Sequence, residues 1–297
     1  MKVLVTGSSG QLGSYICELM AGGREVSGLD IAPSPHASTR GLTVLGDVRN
    51  AADATRAVRG VDAVVHCAAQ VSVERSTEDP VGDAEANVLG TVNMLNASAR
   101  SGVRRFVYVS SAAVYGNPRS VPIREDHPTE PMSNYGASKL AGERFTLAFG
   151  HTTQMEVVAM RPFNFYSPRA DPESPYSGVI TKFVERVRNG RPPRIEGDGL
   201  QTRDFIHARD VAAMAAALVD AEGVSGKVFN CGSGRSTSVL ELAKVTIAAS
   251  GRHFEPEFTA PRKGDIRHSL ADVSLAKEVL GFSARIPLSA GMAELLS

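Results

Sequence analysis

The first thirteen residues place a short apolar run directly before a glycine-rich turn. Lys2–Thr6 is rich in β-branched residues, which predicts a strand. TGSSGQLG overlaps its end, with Gly7, Gly10 and Gly13 at regular intervals, and the residues that follow have helical spacing. Glycines let the backbone approach a pyrophosphate, and a helix N-terminus supplies free amides and a favourable dipole. Strand, glycine turn and helix in this order predict a dinucleotide-binding unit.

An acidic residue ends the second predicted strand. Glu25–Leu29 leads to Asp30, which lies about twenty residues beyond the glycine turn, where such folds place the acid that holds a ribose. A carboxylate accepts hydrogen bonds from ribose hydroxyls and repels a 2′-phosphate, so the sequence favours NAD over NADP. Arg40 is the nearest downstream arginine and weakens this preference only slightly.

Strands and helices continue to alternate through the N-terminal half. Strands are predicted at Leu42–Leu45, Val61–Cys67 and Arg105–Ser110, and helices at Ala51–Val58 and Pro80–Arg100. This alternation predicts a parallel, doubly wound sheet, in which ligands bind beyond the carboxyl ends of the strands. The residues expected at those ends are Gly7, Asp30, Asp47 and Val48 (beside an adenine), Ala68, Ala69 and Ser111.

A tyrosine and a lysine follow the fifth strand at helical spacing. The strand ends in VSSAAVYG, and YGASKLAGERF begins a predicted helix that Ser133 or Asn134 can cap. Tyr135 and Lys139 share one face of that helix, where a cation would lower the pKa of the phenol. Ser111, at the end of the predicted strand, has a hydroxyl that can share the proton of Tyr135. Alone, this pattern is equally that of an exposed Tyr and Lys on an ordinary helix. Its position at the predicted strand ends favours a catalytic group.

The overall composition excludes several classes of function. Among 297 residues, Lys plus Arg (32) equals Asp plus Glu (32), which gives no indication of nucleic-acid or acidic-membrane binding. Cys17, Cys67 and Cys231 lack metal-binding spacing and are expected to be reduced thiols. No apolar run has the length of a membrane span, and no leader precedes the first strand. We therefore expect a cytoplasmic protein that binds no metal.

TGSSGQLG, Asp30, SSAAVYG and YGASK together resemble the extended short-chain dehydrogenase/reductase family, and within it the NAD-dependent nucleotide-sugar epimerases of the UDP-galactose 4-epimerase type. The resemblance implies an α/β fold with a Rossmann-like doubly wound parallel sheet and a smaller C-terminal α/β substrate domain. Residues 1–167 would form the NAD-binding domain, with a returning segment at about 201–231. Residues 168–200 and 232–297 would bind the nucleotide-sugar.

The resemblance also assigns roles in the N-terminal half. Ser111, Tyr135 and Lys139 would be the catalytic residues, and Asn87 would help order the site. The cofactor-binding residues implied are Gly7, Ser9, Gly10, Gln11, Leu12, Asp30, Asp47, Val48, Ala68, Ala69, Asn87, Ser110, Tyr135, Lys139 and Pro162.

Three C-terminal motifs extend the resemblance after a sixth strand at Gln154–Met160. RPFNFYSPR carries Asn164 and has Ser167 where the family has glycine, GDGLQTRDFIHARD carries Arg203, and PRKGDIRHSLAD carries Arg262 and Asp265. The arginines would hold a diphosphate, and SPYSGVI would lie beside the uracil and the second sugar. The implied substrate-binding residues are Ser72, Ser111, Ala112, Tyr135, Asn164, Val179, Arg203, Arg262, Asp265 and Ser269.

Two positions narrow the implied reaction. Ala112 and Ala113 stand where dehydratases and decarboxylases of the family carry acidic groups, which favours simple epimerisation at C4. Ser269 is small where epimerases restricted to glucose and galactose carry a bulky residue, so 2-acetamido sugars should also react.

The family's helix pairing implies a homodimer. Another NDP-sugar epimerase or an oxidoreductase, and a non-catalytic dinucleotide sensor, are the alternative interpretations.

Overall fold

The computed structural model describes residues 1–170, 178–262 and 264–297. Thirteen strands occur in these ranges. They are β1 Lys2–Thr6, β2 Glu25–Asp30, β3 Thr43–Leu45, β4 Ala63–His66, β5 Arg105–Val109, β6 Glu156–Pro162, β7 Asn164–Tyr166, β8 Arg194–Glu196, β9 Thr202–Arg203, β10 Phe205–His207, β11 Val228–Cys231, β12 Thr237–Ser238 and β13 Glu257–Thr259.

Eleven α-helices connect these strands in the same ranges. They are α1 Gln11–Ala21, α2 Ala51–Ala57, α3 Val73–Glu78, α4 Pro80–Ala84, α5 Gly90–Arg100, α6 Asn134–Thr152, α7 Val179–Arg188, α8 Ala208–Asp220, α9 Val239–Ala249, α10 Ser274–Leu280 and α11 Leu288–Leu296. No helix of the described residues is long and apolar enough to cross a membrane.

Seven strands form one parallel sheet in the order β11-β6-β5-β4-β1-β2-β3. Alternate residues of each strand enter two separate apolar cores, because both faces are covered by helices. Val3 and Val107 pack with α1 and α8 on one face. Leu4 and Phe106 pack with α2 and α5 on the other. The predicted fold class, an α/β doubly wound parallel sheet, is confirmed.

The register aligns the carboxyl ends of the central strands. Thr6 lies beside His66, and His66 lies beside Tyr108. The chain leaves β1, β4 and β5 at the same edge, where Gly7, Cys67 and Ser110 follow. This edge places the glycine turn next to the start of the VSSAAVYG turn.

The C-terminal part has an apolar core of its own. Three two-stranded sheets, β7 with β10, β9 with β12 and β8 with β13, lie outside the central sheet. Phe183 of α7, Ile195 of β8, Leu242 of α9 and Met292 of α11 fill the space between them. The domain limits drawn from the sequence remain a prediction.

The element boundaries differ from the predicted ones by one or two residues, and two differences are larger. Predicted helix 80–100 is interrupted by a π-helical segment, Glu85–Leu89, which contains Asn87. Helix α3 was not predicted, because six residues are too few for helical spacing to be distinguished from a loop.

Candidate active site

The structure brings Ser111, Tyr135 and Lys139 together at the carboxyl edge of the sheet. Ser111 follows β5 and caps a 3₁₀ turn, Ala112–Tyr115, by accepting a 3.1 Å hydrogen bond from the amide of Ala113. Tyr135 lies in the first turn of α6, where Ser133 caps the helix as predicted. The Ser111 side chain lies close enough to the Tyr135 phenol to lower the pKa of that phenol.

Burial is the largest effect on the pKa values of Tyr135 and Lys139. It raises the pKa of Tyr135, while the hydrogen bond with Ser111 lowers it and the carboxylate of Asp83 raises it further. Burial also lowers the pKa of Lys139 from 10.5 to about 8, against the opposing effects of Cys67, Glu143 and Asp83.

The lowering of the Tyr135 pKa by Lys139 stays a prediction, because the largest effect on the phenol is its burial, which raises its pKa. The Lys139 ammonium lies 4.5 Å from the centroid of the Tyr108 ring, in a cation–π contact. Ser111 favours the phenolate.

The glycine turn leaves no room for side chains. Gly7 has φ +68°, and a Cβ on it would lie 2.9 Å from the backbone nitrogen of Ala68. A Cβ on Gly13 would lie 2.1 Å from the carbonyl oxygen of Gly7. Helix α1 begins at Gln11 after Gly10, with neither a side-chain cap nor an acidic residue in its first turn. Its first amides are thus available to an anion, which fits the pyrophosphate of a dinucleotide.

Asp30 lies against this turn, as a ribose-binding acid requires. Its carboxylate accepts hydrogen bonds from the amides of Ser9 (2.9 Å) and Ala32 (3.2 Å), which fix its orientation at the end of β2. After β5, at the same edge of the sheet, the Ser110 hydroxyl is buried without a hydrogen-bond partner among the described residues. A hydroxyl of this kind is a ready contact for a bound polar group. The donors and acceptors here fit a dinucleotide.

Asp47 and Val48, which are predicted to lie beside an adenine, follow β3. Asp47 forms an ion pair with Arg49 at 2.6 Å, and hydrogen bonds from Arg49 lower its pKa. Val48 is buried and packs closely against Gly90 of α5. The carboxylate of Asp47 is therefore already paired, and the two residues contact other parts of the N-terminal half.

Asn87 joins the loop after β4 to the catalytic helix. Its buried amide nitrogen donates to Ser138 Oγ (2.9 Å) and to the carbonyl of Gln70 (3.0 Å), and its carbonyl accepts from the amide of Gln70 at 2.8 Å. The π-helical turn around Asn87 is a feature often found at functional sites. Ala68 and Ala69 begin the loop that Asn87 holds.

The two predicted phosphate-binding arginines have carboxylate partners. Arg203 of β9 pairs with Asp265 at 2.5 Å, and Arg262 pairs with Glu74 of α3 at 2.8 Å. Asp265, one of the predicted substrate-binding residues, is thus already engaged by Arg203. Glu74 was missed from the sequence because nothing local connects it with a residue 188 positions away.

The remaining predicted substrate residues lie on several elements. Ser72 caps α3 by accepting from the amide of Arg75, and the amide of Ser269 donates to the carbonyl of Thr202, beside Arg203. Asn164 is exposed at the start of β7, Val179 begins α7, and Gln11 and Leu12 begin α1. Pro162 is buried at the end of β6. In SPYSGVI, residues 174–177 lie outside the described residues.

The fold and this site define a dinucleotide-binding α/β protein with a serine, a tyrosine and a lysine beside the glycine turn. A sequence model of the NAD dependent epimerase/dehydratase family matches residues 3–232, and the chain belongs to this family. The predicted family and its NAD dependence are confirmed.

Named relatives span the full length of the chain. A UDP-glucose 4-epimerase from Mycolicibacterium smegmatis is 39% identical, covering 99% of this chain and 97% of that protein. The crystal structure of the UDP-glucose 4-epimerase of Thermotoga maritima with UDP-glucose has a TM-score of 0.93 at 31% identity, covering 100% and 97%. The UDP-N-acetylglucosamine 4-epimerase of Methanobrevibacter ruminantium also has a TM-score of 0.93, at 28% identity, covering 99% and 96%.

Proposed function

We propose that the protein is an NAD-dependent UDP-sugar 4-epimerase that interconverts UDP-glucose and UDP-galactose, and also UDP-GlcNAc and UDP-GalNAc. The observation that carries the proposal is the placement of Ser111 next to the Tyr135 phenol, whose pKa it lowers, at the edge of the sheet that also carries the glycine turn. Relatives of both types, named for UDP-glucose and for UDP-N-acetylglucosamine, share the fold over nearly the whole chain.

Different residues of the chain bind different parts of the dinucleotide. The amides after Gly10 hold the pyrophosphate, Asp30 accepts from a ribose, and Lys139 donates to the ribose beside the nicotinamide. When bound there, NAD⁺ would supply reversible acceptance of the hydride of C4 and a positive charge that opposes the effect of burial on Tyr135.

Proton transfer belongs to Tyr135. As phenolate it removes the proton of the C4 hydroxyl, and Ser111 hydrogen-bonds both oxygens and so shares the charge. The resulting 4-keto sugar turns about its diphosphate link and receives hydrogen on its other face, while Tyr135 returns the proton. Since neither Ala112 nor Ala113 can act as acid or base, loss of a hydroxyl from C6 has no catalyst at these positions.

The anchor for the diphosphate is formed by Arg203 and Arg262. The paired N–H donors of each guanidinium match phosphate oxygens. Asp265 holds Arg203 and Glu74 holds Arg262 near the cleft, and the diphosphate would replace these carboxylates. Ser269 lies beside the strand of Arg203 and is small enough to admit an acetamido group at C2.

A homodimer and a cytoplasmic location complete the proposal. The resemblance implies pairing of the helix that begins at Pro80 and the helix that carries Tyr135. On these, Val81, Leu89 and Phe145 are 68%, 48% and 42% exposed, which supports a covered apolar face. The described cysteines are free thiols, as in a reducing compartment. Light scattering after gel filtration tests the dimer, and Leu89→Glu should yield monomers.

Incubation with four UDP-sugars, without added NAD, tests the function. Formation of the C4 epimer from each, lost in Tyr135→Phe, is the expected result. Release of NADH in proportion to substrate would indicate a net oxidoreductase instead, and binding without any turnover would indicate a dinucleotide sensor.

A further inference from the structure

A buried ion pair lies directly behind the catalytic helix. Arg161 of β6 donates to the carboxylate of Glu143 of α6 through Nε (2.9 Å) and Nη2 (2.6 Å). Their side chains are 3% and 0% exposed. Glu143 follows Lys139 by one helical turn, as Lys139 follows Tyr135, so all three share one face of α6.

The same guanidinium holds the turn that carries Ser111. Its Nη1 donates to Tyr115 Oη (2.8 Å) and to the carbonyl of Glu125 (3.0 Å), and it lies 4.7 Å from the centroid of the Tyr115 ring. Tyr115 ends the 3₁₀ turn that Ser111 caps, and its hydroxyl donates to Asn230 Oδ1 at 2.6 Å. Arg161 therefore contacts both the serine's turn and the tyrosine's helix.

Planar shape makes an arginine suitable for this role. A guanidinium presents donors in fixed directions, whereas an ammonium is a point charge on a flexible chain. Two donors face Glu143 and a third faces Tyr115, so the spacing between turn and helix is set by one rigid group. Net stability is a weak reason for such a pair, because buried ion pairs can often be replaced by apolar residues without loss.

We propose that Arg161 is a positioning residue, which sets the distance between the Ser111 hydroxyl and the Tyr135 phenol by holding Tyr115 and Glu143 on one guanidinium. The inference rests on the proposed function, in which that hydrogen bond supports proton transfer. Without this spacing the effect of the Ser111 hydroxyl on Tyr135, which favours its phenolate, is lost, and the pH at which Tyr135 becomes a base rises.

Tyr115→Phe is the most selective test. It removes one hydroxyl and leaves unchanged the titratable groups around Tyr135, namely Asp83 from α4, Tyr108 from β5 and Lys139 on α6. We expect kcat at neutral pH to fall about tenfold and the rising limb of its pH profile to move about one unit toward alkali, with KM nearly unchanged. A mere packing role would lower the melting temperature without moving this limb.

The paired variant Arg161→Met with Glu143→Met replaces the ion pair by apolar side chains and should fold. The rising limb of its kcat pH profile should also move toward alkaline pH, and its kcat should fall by more than that of Tyr115→Phe. Glu143 also raises the pKa of Lys139, so the tyrosine variant is the cleaner of the two. The matched control is Arg105→Met with Glu156→Met, which removes a second buried arginine and its partly exposed carboxylate partner at the start of β5 and β6, far from the strand ends that hold the site.

Each outcome decides the matter. A wild-type pH profile and kcat in Tyr115→Phe would overturn the proposal, whether or not the paired variant folds. An equal movement of the profile in the Arg105 control would also overturn it. Wild-type protein without epimerase activity would show instead that the proposed function fails, and this role of Arg161 with it.

Discussion

Replacing Lys139 by methionine should stabilise the protein while abolishing its activity. Lys139 is 3% exposed, and burial lowers its pKa from 10.5 to about 8, a value that already includes the opposing effects of Cys67, Glu143 and Asp83. At about 1.36 kcal/mol per pKa unit, keeping the ammonium in this site costs about 3 kcal/mol at neutral pH. Methionine has a similar length and carries no charge, so it avoids this cost.

The sign of the pH dependence follows from proton linkage. Between pH 8 and 10.5 the unfolded chain still holds the lysine proton, whereas the folded protein has lost it. The contribution of Lys139 to the free energy of unfolding therefore becomes more favourable as the pH rises from 8 to 10.5. The advantage of Lys139→Met, up to about 3 kcal/mol at pH 7, should shrink as pH rises through it.

Urea unfolding of both nucleotide-free proteins at a series of pH values measures this difference. Lys277→Met on α10, where the lysine is exposed, is the control and should change stability by less than about 0.5 kcal/mol. A Lys139→Met protein that is less stable than wild type at pH 7, or an advantage that stays constant with pH, would refute the reasoning.

Three further substitutions test the site. Tyr135→Phe should keep NAD and UDP binding, measured by calorimetry, and lose about 10²- to 10⁴-fold in kcat, because the proton acceptor is gone. Ser269→Tyr should remove turnover of UDP-GlcNAc selectively, seen as a changed ratio of kcat/KM between the acetamido and hydroxyl substrates, because the ring fills the space at C2. Glu74→Gln should tighten UDP binding about 1.4- to fivefold, because it removes an exposed competitor for Arg262 whose pairing is worth about 0.2–1 kcal/mol.

Each of these has a contradicting result. Full activity in Tyr135→Phe would remove the tyrosine from the mechanism. Equal losses for both sugar pairs in Ser269→Tyr would show general disruption of the cleft. Weaker UDP binding in Glu74→Gln would mean that Glu74 presents Arg262 to the diphosphate, and Arg262→Gln measured alongside gives the full effect of losing that arginine.

Local patterns in the sequence were sufficient for the strand ends and the catalytic face. The glycine turn, Asp30 and the spacing of Tyr135 and Lys139 each depend on residues close together in the chain. Since parallel strands end at one edge, their meeting in space followed from the predicted topology.

Pairs that form only on packing could not be predicted. Glu143 lies at the right spacing to share a face with Tyr135, but its partner Arg161 is on another element and both are buried. The pairing of Asp47 with Arg49, two residues away, did not follow from the motif that places Asp47 beside an adenine. Burial of the phenol raises the pKa of Tyr135. This direction could not be predicted from the sequence, because no motif shows that the phenol is buried.

A labelled substrate gives the most direct test of the proposed function. UDP-glucose carrying deuterium at C4 would be incubated in ordinary water with the purified protein and no added NAD, and the products examined by NMR. The proposal predicts UDP-galactose with the deuterium retained at C4, because the hydrogen removed from that carbon is the one returned to it. Absence of UDP-galactose, or a product whose deuterium has been lost to solvent, would contradict it.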